Sequence, residues 1–269
     1  MSTPPGVAST DHRWLPGYRE WLPPAQLRDA IACLWVSVSA PDAAPSVTAV
    51  LPDGCADLIW RRGRGAFVAG PDTGPAPADM PPGTIFVGAR FWPGAGGPAL
   101  GLPLAHLRDQ RVDLADAMPR LVRHLPADLT PAQALAAMTR LSAQLVAAAP
   151  PDQLVVAATR LLASSPAGVT DLSQALAVSE RQLRRRFDVA VGYGPKTMQR
   201  VLRFRRVIGE LTAAPRSVDL ADLAVRAGYA DQAHLTRETA RLAGLPPAAL
   251  ARSFVTSQSP PLQDEVAAV

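Results

Sequence analysis

The spacing of hydrophobic positions changes partway along the chain. After a polar, proline-rich stretch at 1–24, expected to be an irregular lead-in, residues 25–33 (AQLRDAIAC) read as a short helix. Apolar runs of strand length follow at 34–39 (LWVSVS), 47–51 (VTAVL), 56–61 (ADLIWR) and 84–91 (TIFVGARF), with a weaker one at 66–69. Pro52-Asp53-Gly54 and the Pro/Gly-rich stretch 70–83 supply turns between them. Many short strands with such turns predict a β-rich domain over 25–125, a small barrel or sandwich with flanking helices.

From about residue 104 the period becomes helical. Leu114, Met118, Leu121 and Leu125 fall near one face, and Leu135, Met138, Leu141 and Leu145 form a second stripe on 131–149, with Pro131 at a favourable first-turn position. That stripe fits a dimer helix or internal packing equally well. Pro150-Pro151 ends the helix and marks a domain boundary, so 126–151 is expected to link two domains. Residues 152–255 read as all helical, with segments at 152–164, 170–177, 179–188, 195–212, 218–227, 231–243 and 247–253, followed by a flexible tail at 256–269. The fold class expected is α+β in two domains, the second all-α.

Charge separates the same two regions. The chain of 269 residues has a formal net charge of +4. Residues 1–150 are balanced, whereas 151–256 carry a clear excess of arginine over acid. From Arg181 to Arg206 the only acid is Asp188. Of the basic residues only Lys196 is lysine, and arginine is the better side chain for bidentate contacts to phosphate and guanine. Base composition of the gene accounts for an arginine bias but not for its clustering.

Within the basic region a short helix, a tight turn and a second helix occur twice. In the first pair, Leu172, Leu176, Leu183 and Phe187 are spaced to pack two crossing helices. Ser179-Glu180-Arg181-Gln182 is a capping box that starts the second helix at Ser179. With Leu183 and Phe187 inward, Arg181, Arg184 and Arg185 face outward one turn apart, as a helix reading the major groove requires. In the second pair, Gly228 occupies the turn, Tyr229 fills the seam and Asp231 caps the helix. That cap places Gln232, Ala233, His234 and Arg237 on its first turns. The segment 195–212 between the pairs would be about 27 Å long as a helix, against about 34 Å between successive major-groove faces. Gln199, Arg200, Arg203 and Arg206 line it and are expected, with Ser179 and Lys196, to contact phosphates.

These residues carry a resemblance. Ser179-ERQLRRRF, Val191-GYGPK, Arg203-F-R-R, Leu223-AVRAGYADQAHLTR and Gly244-LPP, in that order over about 165–252, resemble the C-terminal DNA-binding domain of the AraC/XylS transcriptional regulators. The resemblance implies two helix-turn-helix units joined by a helix. It implies base-reading roles for Arg181, Arg184 and Arg185, and for Gln232, Ala233, His234 and Arg237. It also implies double-stranded promoter DNA as partner, activation of transcription, and RNA polymerase and a second copy of the chain as candidate partners. The sequence departs from the family where Thr239 and Ala243 replace core aromatics, where Leu250 stands for a frequent tyrosine, and where Glu238 adds negative charge, so the second unit is expected to be looser. Leu51-PDGCADLIW and Val87-GARFWPGA are similar to an uncharacterised N-terminal domain fused to such units, which implies a cupin-like sensor for a small-molecule effector.

Other chemistry is sparse. Cys33 and Cys55 cannot build a disulfide framework or a zinc site, and His12, His106, His124 and His234 lack metal-ligand spacing, so no metal or cofactor is expected. Phosphate-loop, catalytic-triad and zincin motifs do not occur, and the chain is read as a non-enzyme. One alternative makes Cys55 the alkyl acceptor of a thiol enzyme fused to the DNA-binding domain; the plainer reading is a turn and a buried thiol. Another is a ligand-independent structural DNA binder. Trp35, Trp60, Phe86, Phe91 and Trp92 are pocket or core, and Trp35, Trp60, Arg90 and Trp92 are the candidate ligand residues. Arg90, inside an apolar strand, needs Asp53, Asp57 or an anionic ligand as partner. Apolar runs are too short for a membrane span and a secretory signal is not visible, so the expected location is the reducing cytoplasm, at the nucleoid.

Overall fold

The computed structural model describes residues 14–164, 168–213 and 218–256; the outer parts of the expected lead-in and tail, 1–13 and 257–269, lie outside the described residues. The strands are β1 (Gly17–Trp21), β2 (Ile31–Val38), β3 (Ser46–Val50), β4 (Ala56–Arg61), β5 (Gly65–Ala69), β6 (Ala76–Met80), β7 (Ile85–Phe91) and β8 (Arg111–Asp113). Helices α1 (Gly96–Leu100), α2 (Leu114–Ala117) and α3 (Pro131–Ala148) complete the N-terminal half. The C-terminal half is helical: α4 (Gln153–Ser164), α5 (Val169–Ala175), α6 (Glu180–Ala190), α7 (Pro195–Ala213), α8 (Leu220–Arg226), α9 (Gln232–Ala243) and α10 (Pro247–Thr256). A β-rich region followed by a helical one is the architecture the two periodicities predict.

Six strands form an antiparallel sheet in the order β1-β2-β7-β4-β5-β8, and β3 pairs with β6 in a separate ribbon. Alternation along the central strands sorts side chains onto two faces. Leu34, Val36, Leu58, Trp60, Val68, Val87, Ala89 and Phe91 join the main core on one face. Helix α3 lies against that face and adds Ala134, Ala137, Met138 and Leu141 to it. The leucine-methionine stripe is therefore spent on internal packing, which resolves the choice left by the sequence. Truncating Met138 to alanine there would cost about 2–5 kcal/mol. The helix starts as a capping box: the Thr130 hydroxyl accepts from the Gln133 amide and the Gln133 side chain accepts from the Thr130 amide, with Pro131 at the first helical position.

Four local expectations are corrected. Residues 25–33 are not a helix: a 3-10 turn covers Ala25–Leu27, and Ile31–Cys33 begins β2, with Ile31 paired to Phe91 and Cys33 to Arg90. Burial against the sheet outweighs local propensity there. The lead-in contains β1, whose Tyr18 and Glu20 pair with Ser37 and Trp35. The stretch 70–83 contains β6, held by pairing with β3 despite Pro77. The helix expected through Leu114–Leu125 stops after Ala117, because Pro119 forces Met118 out of helical backbone (φ −148°). Leu114 and Leu125 nevertheless remain in the core.

Candidate nucleic-acid interface

The first helix-turn-helix unit is α5 and α6. Ala177 turns the chain with φ +51°, and Ser179 caps α6, its hydroxyl accepting from the Gln182 amide at 3.2 Å while Gln182 accepts from the Ser179 amide at 3.0 Å. Leu183, Phe187 and Ala190 are buried against Leu172, Val155 and Met198. The opposite side of α6 presents Arg181, Arg184, Arg185 and Arg186 to solvent. Arg184 pairs with Glu180 one turn earlier at 3.2 Å, an exposed contact of small energy, and Arg186 pairs with Asp152 at 2.9 Å. Arg181 and Arg185 have no ion-pair partner among the described residues.

The second unit is α8 and α9. Asp219 and Asp231 cap their helices, Asp231 accepting from the His234 amide at 2.6 Å. Gly228 (φ +79°) makes the turn that only glycine adopts freely, and Tyr229 is buried in the seam. Burial pushes the Tyr229 hydroxyl up to about 12. Gln232, Ala233 and Arg237 are exposed. His234 is half-buried, its ring edge-on to Tyr229 with centroids 5.2 Å apart. Leu235, Thr239, Leu242 and Ala243 are buried, and the Thr239 hydroxyl has no hydrogen-bond partner among the described residues.

Helix α7 joins the units, and at 19 residues it is about 28 Å long. Of the residues expected at phosphates, Lys196 is exposed and Ser179 is used in its cap. Three arginines of α7 are turned into the protein. Arg200 donates to Glu238 at 2.6 Å and Arg203 to the other oxygen of Glu238 at 3.5 Å, with all three side chains largely buried. Arg203 also lies over the Tyr229 ring, and Arg206 donates to the Ala163 carbonyl. Gln199 is half-buried. The charge of Glu238, read from the sequence as an added negative charge on the second unit, is thus neutralised by a clamp between α9 and α7. Glutamate seven positions after its cap, with arginines three apart on a neighbouring helix, was the signal available for it.

The N-terminal sheet carries a second group of functional candidates on the face away from α3. Arg90 is buried there, its Nε 3.3 Å from Asp53 and 3.3 Å from Asp57, and its Nη1 3.4 Å from Glu20. The indole of Trp35 lies over Gly88 and donates to Asp57 at 2.6 Å, and the Tyr18 hydroxyl donates to Glu20 at 2.5 Å. Burial holds the Asp57 carboxyl above the ordinary carboxylate range although Arg90 pulls it down. Arg90 pairs with both aspartates expected for it, and with Glu20 besides. Trp35 and Arg90 share this face. Trp60 and Trp92 do not: Trp60 is fully buried in the main core and donates to the Pro126 carbonyl, and Trp92 donates to the Arg28 carbonyl. Cys55 is buried beside the cluster, its amide donating to Asp53.

The two halves meet closely. A Cβ built on Gly97 of α1 would lie 2.2 Å from the Val189 carbonyl oxygen, so backbone of the β-rich half rests directly on backbone of α6. One built on Gly54, next to Asp53, would lie 2.7 Å from the Met198 methyl group on α7. The Asp152 amide donates to the Gly94 carbonyl across the same junction.

Two helix-turn-helix units on one shared helix define a DNA-binding transcription regulator. Residues 172–253 match the family described as a helix-turn-helix domain, and the chain carries an AraC-type domain there. Residues 19–113 match a domain of unknown function (DUF6597). No curated protein matches the chain. Among solved structures, it is similar to ToxT from Vibrio cholerae O395 at 8% identity, covering 83% of this chain and 99% of that one, with a TM-score of 0.44. It is also similar to wild-type ToxT from Vibrio cholerae bound to an unsaturated fatty acid, at 9% identity, 84% and 98% coverage and a TM-score of 0.43.

Proposed function

We propose that the protein reads a specific DNA sequence with the outward residues of α6 and α9, and that a small molecule on the Arg90 face of the sheet controls its occupancy of that site. The observation that carries the reading is the state of the two second helices. Each is capped at its N-terminus, buried along one side, and exposed at Arg181, Arg184 and Arg185 on α6 and at Gln232, Ala233 and Arg237 on α9. Base readers near the N-terminal end of an anchored helix are what the major groove accepts. Lys196 adds a phosphate contact, and the internal pairing of Arg200, Arg203 and Arg206 leaves the outward arginines of α6 as the main source of salt-dependent affinity. Residues 25–125 act as the sensor and 152–255 as the DNA-binding domain, acting in the cytoplasm on promoter DNA beside RNA polymerase.

Ligand control is supported by the sheet. One face is sealed by α3, whereas the other sets Tyr18, Trp35, Phe67 and Phe86 around buried polar groups, the mixture that ligand pockets use. Asp53 joins this face to the turn that packs on Met198. Binding of the full-length chain to its own upstream DNA, against excess competitor and beside Arg184→Ala and Arg237→Ala, tests the reading. Each substitution should weaken the specific complex by about 1–3 kcal/mol and lower the ratio of specific to competitor binding, while Arg184→Ala should also reduce the salt-dependent non-specific binding. Sequence-blind binding by the unmodified protein would refute it. A thermal-shift panel of small metabolites, repeated with Trp35→Ala, tests the effector.

A further inference from the structure

The sensor half holds both recognition helices at their C-terminal ends and leaves the base-reading ends free. For α6 the contact is Gly97 on Val189 and Ala190, already described. For α9 it is the loop 70–75. Gly244 ends α9 with φ +72°, and a Cβ built on it would lie 3.4 Å from the Pro75 ring; one on Gly74 would lie 3.7 Å from the Arg241 carbonyl oxygen. The same loop reaches the first unit. A Cβ on Gly192, just past α6 and with φ +96°, would lie 2.6 Å from the Pro71 ring. One short segment therefore lies beside both helix-turn-helix units, within reach of a single added carbon on Gly192 or Gly244.

That segment is held rigidly. Gly70 is pressed against Leu107, where a Cβ would lie 1.8 Å from the carbonyl oxygen, and its amide donates to the Gln110 carbonyl. Asp72 accepts two bonds from Arg111, at 2.8 and 2.6 Å, the bidentate arrangement that fixes orientation as well as distance. Asp109 accepts from the Thr73 amide at 2.6 Å and from the Thr73 hydroxyl at 2.9 Å, and its own amide donates to the Pro71 carbonyl. Asp109 does this with φ +58°, a conformation aspartate and asparagine adopt more readily than most residues. Pro71 and Pro75 restrict the backbone further.

We propose that loop 70–75 is a brace that sets the separation of the two recognition helices, so that the sensor half, and not α7 alone, determines the spacing of the two DNA elements read. α6 and α9 each pack on α7, but a single helix bends along its length, and two units fixed only to it keep freedom of relative angle. A third body touching both closes a triangle. The residues responsible are positioning residues, remote from DNA. The proposal rests on the two-unit reading above.

The test uses the full-length chain to select a site from random duplex DNA. The selected bipartite site is remade with one or two base pairs added or removed between its elements, each base pair moving them by about 3.4 Å. Affinities are measured at about 150 mM salt for the unmodified protein, Asp109→Ala, Asp109→Asn and Pro75→Gly. The unmodified protein should lose about tenfold or more on respacing. Asp109→Ala and Pro75→Gly should bring that ratio close to one. Asp109→Asn, which keeps an acceptor for the Thr73 amide, should behave as the unmodified protein does. Pro75 is exposed, so Pro75→Gly tests the brace even where Asp109→Ala does not fold. An unchanged respacing ratio in Pro75→Gly, or equal losses at all spacings, would overturn the brace. Selection of one uninterrupted element would overturn the two-unit reading and the brace with it.

Discussion

Glu238 on α9 accepts from Arg200 on α7 at 2.6 Å, and Arg203 closes on its other oxygen. Glu238→Gln removes the charge and leaves two largely buried guanidiniums without their counter-ion. The expected loss is about 1–3 kcal/mol, less than for a fully buried pair. Urea denaturation followed by circular dichroism measures it; an unchanged midpoint would mean that solvent already screens the clamp.

Thr239 presents the opposite case, a buried hydroxyl with no partner among the described residues. Thr239→Val keeps the shape and removes the orphaned group, and should stabilise the protein by about 1 kcal/mol. A lower melting midpoint in the variant would show that the hydroxyl finds a partner in solution.

Asp57 predicts a pH dependence. Burial, with Asp53 alongside, raises its carboxyl more than Arg90 lowers it. Between the unfolded value, about 3.9, and the raised folded value, the folded protein binds more protons than the unfolded chain. Stability contributed by this group is therefore full below about pH 4 and declines as pH rises through the folded value. The stability of the unmodified protein relative to Asp57→Asn should fall across that window in paired urea titrations. A rise would mean that Arg90 controls the carboxylate.

Cys55 should be chemically silent in the native protein. Burial pushes its thiol well above the ordinary value, and Asp53 adds to the shift against the pull of Arg90. Reactivity needs thiolate and access, and this thiol lacks both. Intact mass after iodoacetamide treatment at pH 8 should show no label on Cys55, and full labelling only after denaturation. Stoichiometric native labelling would restore the alkyl-acceptor reading.

The C-terminal half was legible in the sequence because its determinants are local. Capping boxes, a turn glycine and apolar residues three and four apart mark each helix within about a turn. The strands were legible where both sheet faces are buried, as at Ala56–Arg61. They were missed where pairing alone makes the strand, as in β1 and in β6 with its proline. At the site, the outward arginines of α6 followed from Leu183 and Phe187, since one face of a helix determines the other. The inward turn of Arg200, Arg203 and Arg206 did not follow, because it depends on Glu238 and Ala163, residues distant in sequence. The seat of Gly97 under Val189 was invisible for the same reason.

That seat consists of main chain on main chain. A side-chain contact can loosen by degrees, one rotamer at a time, but a glycine beneath a carbonyl has no rotamer to change. The contact of α6 with the β-rich half therefore has no side-chain freedom at Gly97 to take up a change in their separation. A side chain added at Gly97 should displace α6 as a body from the β-rich half, with no local rearrangement of rotamers to absorb it.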